Sequence, residues 1–132
     1  MIRKITICSV NRPPRCSVND ELQWLANALG LFGERDRNRS RFRIFVELIK
    51  TSRTKSGLTS DELAHRLSLT RPTVVHHLNG LLEQGLIIHR SNRYEMRAQR
   101  LQELIEDLRK DMERALDEVK QSARELDKVL GL

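Results

Sequence analysis

The side chains best suited to chemistry in this sequence lie on one side of a predicted helix, residues 71–84. Within TRPTVVHHLNGLLEQGL, the apolar residues Val74, Leu78 and Leu81 recur at helical spacing and mark the buried side. The opposite side is polar and rich in hydrogen-bonding groups. It presents Arg71, Pro72, Val75, His76 and Asn79, with Thr73 and His77 on its flanks.

A helix of this kind fits the major groove of duplex DNA, where residues near its N-terminal end contact base edges. Arg71 is placed for a bidentate contact with guanine, and the methyl groups of Val75 or Thr73 for contact with a thymine methyl group. For Arg71, a surface salt bridge is the alternative. For His76 and His77, the alternative is that one ring is half-buried, because adjacent helical residues point about 100° apart.

Two predicted helices with a short turn between them carry this surface. Thr59, followed three residues later by Glu62, is a capping-box pattern that starts the first helix. Thr70 caps the second helix, Pro72 lies in its first turn and Gly85 ends it. Two helices joined by three or four residues, the second polar on its free side, indicate a helix-turn-helix.

A small β hairpin, residues 86–97, follows directly. LIIHR and RYEMR are predicted strands, and the Ser-Asn pair between them suits a turn because Asn tolerates positive φ. A hairpin in this place forms a wing, which we expect to contact the adjacent minor groove or the DNA backbone. Its candidate contact residues are His89, Arg90, Asn92 and Arg93.

The residues ahead of this unit predict a short strand and two more helices. RKITICSV, residues 3–10, has β-branched residues at alternate positions, as a strand does. SVNDELQWLANALGLFG predicts a helix that Ser17 or Asn19 caps and Gly33 ends. A further helix is expected from about residue 40 to residue 52.

Arginine occupies every second position from 35 to 43. A period of two is not a helical period, so these side chains cannot share one helical face. The stretch is either a solvated linker entering the helix or a phosphate contact, since Arg pairs well with phosphate oxygens. The candidate phosphate contacts are Arg39, Arg41 and Arg43.

From about residue 98 the sequence predicts one long helix with a 4-3 apolar repeat over four heptads. About 33 residues at roughly 1.5 Å each give about 50 Å, which is too long to pack wholly on a small domain. We therefore expect dimerisation through this helix; the alternative is a helix folded back on its own domain. The expected contact residues are Leu101, Ile105, Leu108, Met112, Ala115, Val119, Leu126 and Val129.

Charge is distributed unevenly along the 132 residues, whose net charge is +6. Residues 1–57 carry +7, whereas residues from Arg100 onward carry seven basic and nine acidic side chains. A polyanionic partner is therefore expected to meet the first three quarters of the chain. No apolar run approaches the roughly 18 to 20 residues of a membrane span, and MIRKITICSVNRPPRC is too polar for a signal peptide. We expect a cytoplasmic protein with no membrane partner.

Two cysteines, Cys8 and Cys16, are too few for a disulfide framework or a four-ligand zinc site. They are either ordinary reduced thiols or a redox- or metal-sensing pair.

A small-molecule effector between the long helix and the wing is a separate possibility. We expect no enzyme and no cofactor, because the sequence has no Gly-rich phosphate loop, nucleophile elbow or His-Glu-x-x-His spacing.

The segment LTSDELAHRLSLTRPTVVHHLNGLLEQGLIIHRSNRYEMR resembles the winged helix-turn-helix of the arsenic-repressor (ArsR) family, in its archaeal-type members. It resembles the MarR family more loosely. The similarity spans residues 40–97 and implies a homodimeric DNA-binding transcription regulator, usually a repressor released by a ligand. Metal-sensing members carry Cys pairs beside this helix or Asp and His ligands on the last helices. This chain has no Cys after residue 16 and no His after residue 89, so a metal response is not implied.

These features predict a mainly α fold with a small β wing, namely a winged helix-turn-helix with a long C-terminal dimerisation helix. The expected units are a leader (1–17), a DNA-binding domain (18–97) and a dimerisation helix (98–132). The expected function is that of a dimeric regulator, a repressor, binding specific sites in double-stranded DNA. The alternative is a protein–protein interaction module whose C-terminal helix recruits a partner, which the low net charge of residues 58–97 favours.

Overall fold

A computed structural model describes residues 3–12, 14, 17–54 and 56–132 of the chain. The predicted mainly α architecture with a small antiparallel hairpin and a long last helix is confirmed. In chain order the elements are α1 (Val18–Ala28), α2 (Ser40–Thr51), α3 (Ser60–Leu67), α4 (Arg71–Glu83), β1 (Ile87–Arg90), β2 (Arg93–Met96) and α5 (Leu101–Leu130).

Side-chain caps set where α1, α3 and α4 begin. Ser17 forms a reciprocal capping box at the start of α1. Thr59 Oγ1 accepts from the N–H of Glu62 (3.1 Å), and Thr70 Oγ1 accepts from the N–H of Thr73 (3.4 Å). Each cap satisfies an N–H that has no partner inside its helix, which is why all three starts follow from the sequence.

The end of α1 differs from the prediction that placed it at Gly33. The helix stops at Ala28, and Gly30 adopts a left-handed φ of 72°. A side chain at Gly30 would lie 2.8 Å from Thr6 Cγ2. This glycine-dependent turn brings Leu31 back into the core, with its N–H donating to the Ala26 carbonyl (3.0 Å). The first of the two available glycines therefore ends the helix.

The core forms where α2, α3, α4 and the hairpin meet, and the first turns of α5 close it. Each helix buries one apolar stripe there, because helical spacing collects its apolar residues on one side. The largest fully buried side chains are Phe45, Leu31, Ile44, Leu48, Leu63, Leu78, Leu81, Leu86, Leu104 and Val74.

The wing, residues 86–97, is tied to the segment that precedes α3. Ser91 and Asn92 join its strands with φ of 49° and 65°, the two-residue turn that matches strand twist. Leu58 adds a backbone bridge to β2: its N–H donates to the Tyr94 carbonyl (2.9 Å), and the Tyr94 N–H donates to the Leu58 carbonyl (2.7 Å). The wing is therefore held against the helix pair rather than projecting alone.

The strand predicted for residues 3–10 does not form. The N–H of Lys4 instead donates to the Glu83 carbonyl (3.1 Å), and the N–H of Cys8 donates to the Ala28 carbonyl (2.7 Å). A strand needs a neighbouring strand edge to pair with, whereas these N–H groups meet the carbonyl ends of α4 and α1. The segment thus donates backbone hydrogen bonds to carbonyl groups at the ends of two helices.

The last helix, α5, has 30 residues and is about 45 Å long. Leu104, Leu108 and Asp111 are buried against the domain. Every residue from 113 to 132 is exposed. About 27 Å of helix therefore extends past its last buried contacts.

Within the described ranges, no helix is both long enough and apolar enough to cross a membrane.

Candidate nucleic-acid interface

Helix α4 has an inner apolar side and an outer polar side. Val74, Leu78 and Leu81 are completely buried. Arg71, Pro72, His76 and Asn79 are exposed, and Thr73 and Val75 are half-buried. Helical spacing accounts for this division, because the inner residues fall on one stripe that faces α2 and α3.

The N-terminal end of α4 is rigidly organised by its cap. Besides accepting from the Thr73 N–H, the Thr70 hydroxyl donates to the Thr73 hydroxyl (2.8 Å). Ser68, the C-cap of α3, adopts a left-handed φ of 54° and ends that helix three residues before α4 begins. The Thr70 side chain is thus engaged in capping. The groups left to bind a ligand at this end are the free N–H groups of the first turn of α4.

Arg71 lies beside an acidic partner on α3. Its Nε is 3.4 Å from Asp61 Oδ1, with the two side chains 69% and 75% exposed. This is the surface salt bridge that the sequence left open as the alternative to base contact. An exposed pair of this kind exchanges readily with solvent and with other partners, so it leaves Arg71 accessible.

The wing carries four candidate residues with different surroundings. The His89 ring stacks on Tyr94, with centroids 4.1 Å apart. Arg90 Nη1 lies 3.6 Å from Glu95, and Arg93 Nη1 lies 3.3 Å from Glu62. Arg93 also donates to the Gly57 carbonyl (3.3 Å), so it fastens the wing to the approach to α3. Asn92 is exposed at the turn.

His77, expected on a flank of the polar side as a candidate DNA contact, lies on the inner flank of α4 and is the more buried ring of the histidine pair. Its side chain is 11% exposed, and Nδ1 accepts from Arg41 Nε (3.1 Å) while Nε2 is 3.9 Å from Asp36 Oδ1. Because a guanidinium only donates, this contact requires Nδ1 without a proton. Burial lowers the pKa of His77, and Arg41 and His76 add to that while Asp36 opposes it. The neighbouring His76 is the exposed member of the pair, which the 100° offset explains.

The three arginines expected to contact phosphate have partners within the protein. Arg43 Nη2 donates to the Leu67 carbonyl (2.7 Å) and so satisfies the end of α3. Arg41 is half-buried and occupied with His77. Arg39 stacks over Phe32 at 4.9 Å and donates to Gln23 (3.3 Å). Arg41 and Arg43 point inward because the start of α2 packs against α3 and α4.

Residues 38–90 match a family model described as a helix-turn-helix domain. The match runs from the approach to α2 through β1 and covers less than half of the chain. No curated protein shows significant sequence similarity to the chain. Among solved structures, MepR, a transcription regulator of the Staphylococcus aureus multidrug efflux pump MepA, is similar at 22% identity. The alignment covers 86% of this chain and 92% of that one, with a TM-score of 0.46.

The helix-turn-helix match agrees with the α3–turn–α4 geometry, and the narrower resemblance to arsenic repressors stays a prediction. Two arginines that were not among the sequence-based candidates, Arg35 and Arg37, line a cleft beside Thr73 and His76. The only sequence feature that pointed to them was their place in the alternating arginine run. That feature did not distinguish them from Arg41 and Arg43, which point inward.

The expected dimerisation residues fall into two groups. Leu108 is buried in the core of its own chain, and Leu101 and Ile105 pack against that core, so these three stabilise the single copy. Met112 is half-buried. The outer members are exposed, and Leu116 and Leu130 extend the same surface. This exposed group is Ala115, Leu116, Val119, Leu126, Val129 and Leu130.

The cysteines do not form a site that the structure describes. Cys8 is exposed with a free thiol, and Cys16 lies outside the described residues. In the described part of the chain, no three His, Cys, Asp or Glu side chains come together as a metal site would require.

Proposed function

We propose that the protein is a dimeric transcription regulator that binds specific sites in double-stranded DNA. The observation that carries the proposal is the division of α4, whose apolar residues Val74, Leu78 and Leu81 are all fully buried. Its outer side, with Arg71, His76 and Asn79, is exposed. The helix-turn-helix match over residues 38–90 supports the same conclusion.

In this proposal α4 enters the major groove with its N-terminal half towards the bases. Arg71 donates to O6 and N7 of a guanine, and Asn79 suits the N6 and N7 groups of an adenine. The cap at Thr70 fixes the first turn, whose free N–H groups and partial positive charge favour a phosphate. Exposed Pro72 and His76 and half-buried Thr73 and Val75 complete the contact surface.

The wing braces the protein on the adjacent minor groove or backbone. The stacking of His89 on Tyr94 limits motion of the hairpin, and Asn92 sits at its tip. Arg90 and Arg93 would exchange their exposed carboxylate partners for phosphate oxygens. Arg is suited to that exchange because it pairs well with either anion.

The second subunit is proposed to dock on the exposed half of α5. Leu116, Val119 and Leu126 are more than half exposed there, and apolar surface of this extent on one helix face is costly in water. Residues 113–130 carry five acidic and four basic side chains. Two copies of this helix can therefore approach without a large net repulsion, which favours self-association over a strongly charged partner.

The repressor part of the proposal rests on the resemblance to arsenic repressors alone. It predicts that the bound site overlaps a promoter and that binding lowers transcription in a purified system.

The test is selection of duplexes from a random library by the full chain, followed by fluorescence anisotropy on the enriched duplex and a scrambled one. We expect a two-fold symmetric motif. Arg71→Ala should lower the ratio of the two affinities about tenfold, the scale of one bidentate base contact. Arg124→Ala is the matched control, because it removes the same charge from an exposed position on α5.

The alternative function, a protein-interaction module, is favoured by the carboxylates beside Arg71, Arg90 and Arg93. It predicts no enriched motif and weak binding that is equal on both duplexes. A motif whose affinity depends on Arg71 and not on Arg124 excludes it.

A further inference from the structure

A cleft of about 430 Å³ lies between the loop that precedes α2 and the N-terminal half of α4. Arg35, Arg37 and Asn38 line it from the loop, and Thr73 and His76 line it from α4. The cleft therefore opens beside the side chains that the proposed function assigns to the DNA groove. Any group held in it would lie next to the bound duplex.

Two of the arginines that line this cleft are available to bind an anion. Arg35 and Arg37 are exposed, and within the described residues their guanidinium groups make no hydrogen bond or ion pair. Arg71, Arg90 and Arg93, by contrast, each lie within 3.6 Å of a carboxylate. Binding an anion at Arg35 and Arg37 therefore breaks no hydrogen bond or ion pair among the described residues.

The cleft is positively charged despite the carboxylate in its wall. Asp36 is turned towards α2, where Oδ1 accepts from the Ser40 N–H (2.9 Å) and Oδ2 from the Arg41 N–H (3.0 Å). Three guanidinium groups, those of Arg35, Arg37 and Arg41, line the same space. The balance favours an anion over a neutral ligand.

We propose that this cleft binds one phosphodiester of the DNA backbone beside the major groove that α4 enters. The proposal rests on the proposed function and deepens it. Arg35 and Arg37 provide the charge and a fork of N–H donors, and the Thr73 hydroxyl and the exposed His76 ring add further donors. A phosphate held here fixes the position of α4 along the groove, which is what backbone contacts contribute to recognition.

The experiment measures the affinity of the full chain for the selected duplex and the scrambled duplex across a salt series. The variant is Arg35→Ala with Arg37→Ala, and the matched control is Lys110→Ala with Arg124→Ala, which removes two exposed charges from α5. We expect the slope of log affinity against log salt to become shallower by roughly 0.9 in the first variant, on both duplexes alike. The control should keep the wild-type slope.

Two further arms make the interpretation specific. Arg35→Lys with Arg37→Lys should recover most of the slope, because charge alone supports counterion release. Inorganic phosphate, compared with chloride at equal ionic strength, tests a free anion as the occupant. Competition that depends on Arg35 and Arg37, without any change in the DNA slope, would assign the cleft to free phosphate and overturn the proposal.

The outcomes separate the two proposals. Wild-type protein that binds no duplex overturns the proposed function and this inference together. Specific binding whose slope is unchanged in the Arg35→Ala, Arg37→Ala variant overturns only the inference. The thermal midpoint serves as the folding check and should not move, because both side chains are exposed and have no partner among the described residues.

Discussion

In the proposed function, the carboxylate of Asp61 competes with DNA for Arg71. It is 3.4 Å from Arg71 Nε on the outer surface, where it also repels phosphate groups. Asp61→Asn should therefore raise the affinity for the selected duplex severalfold and leave the thermal midpoint nearly unchanged, since exposed pairs contribute little to stability. Anisotropy and thermal unfolding measure the two effects. Asp117→Asn removes the same charge from α5 and should not raise the affinity. Equal gains in affinity for the two variants would mean that only the net charge of the protein matters.

His77 makes the free energy of unfolding depend on pH. Its pKa in the folded protein is lowered below the ordinary 6.5, chiefly by burial, so the unfolded chain binds more protons in that range. The contribution of His77 to stability is fully present above 6.5, the pKa of histidine in the unfolded chain. It is lost as the pH falls from 6.5 towards the lower pKa of the folded protein. Protonation would also end the acceptance from Arg41. Asp36 and Asp111 titrate lower, their pKa values being depressed from 3.8.

Urea unfolding at about pH 7.5 and about pH 5.5 checks this assignment, since the interval spans the ordinary histidine pKa. His77→Gln keeps an acceptor for Arg41 and should reduce the loss of stability between the two pH values. His76→Gln is the matched control, because that ring is exposed. An unchanged pH dependence in His77→Gln would place the titration elsewhere.

At the scale of elements, Asp111 joins three parts of the chain. Its side chain is 3% exposed and accepts from Arg97 at the end of the wing (2.5 and 3.3 Å), from Arg3 (3.1 Å) and from Arg114 on α5 itself. The hydrogen bond from Arg97 lowers the pKa of Asp111. One buried carboxylate thus ties α5 to the end of the wing and to the N-terminal segment.

Asp111→Asn should lower the free energy of unfolding by about 3 kcal/mol, because it removes the charge that compensates the partly buried Arg97. Asp107→Asn is the matched control: that carboxylate is 38% exposed and 3.8 Å from Arg97 Nε. Its loss should cost about 1 kcal/mol or less. Urea unfolding of the two variants measures the difference, and similar small losses in both would contradict a central role for Asp111.

The elements could be predicted from the sequence where the signal is local. The predictions of the helix pair and of the wing are correct. They rest on the caps at Thr59 and Thr70 and on the Ser-Asn turn, which depend only on neighbouring residues. The strand at residues 3–10 was wrong because its existence depends on a distant partner strand. The phosphate contacts assigned to Arg39, Arg41 and Arg43 stay predictions. Spacing in the sequence does not show that Arg41 and Arg43 point inward, because the packing of α2 on α3 and α4 decides it.

At the scale of the whole molecule, the exposed part of α5 predicts the assembly. Leu126 is 55% exposed in the single copy. Leu126→Asp places a charge on the exposed apolar stripe, and the fold of that copy should survive. Light scattering after size exclusion should give a dimer mass for the wild type and a monomer mass for the variant. Gln121→Asp, on the other side of the helix, should remain a dimer. A monomeric wild type at micromolar concentration would remove the dimer from the proposal.

A two-fold dimer also predicts how its binding sites are spaced. Two α4 helices related by one axis reach the same face of DNA only when their half-sites are about 10 base pairs apart, or a multiple of that. Inserting about 5 base pairs between the half-sites of the selected motif should therefore reduce affinity to that of one half-site, and about 10 should restore part of it. Leu126→Asp, as a monomer, should respond to neither insertion. Equal wild-type affinity for all three spacings would mean that the two domains bind independently, and that α5 joins the subunits without setting the distance between their α4 helices.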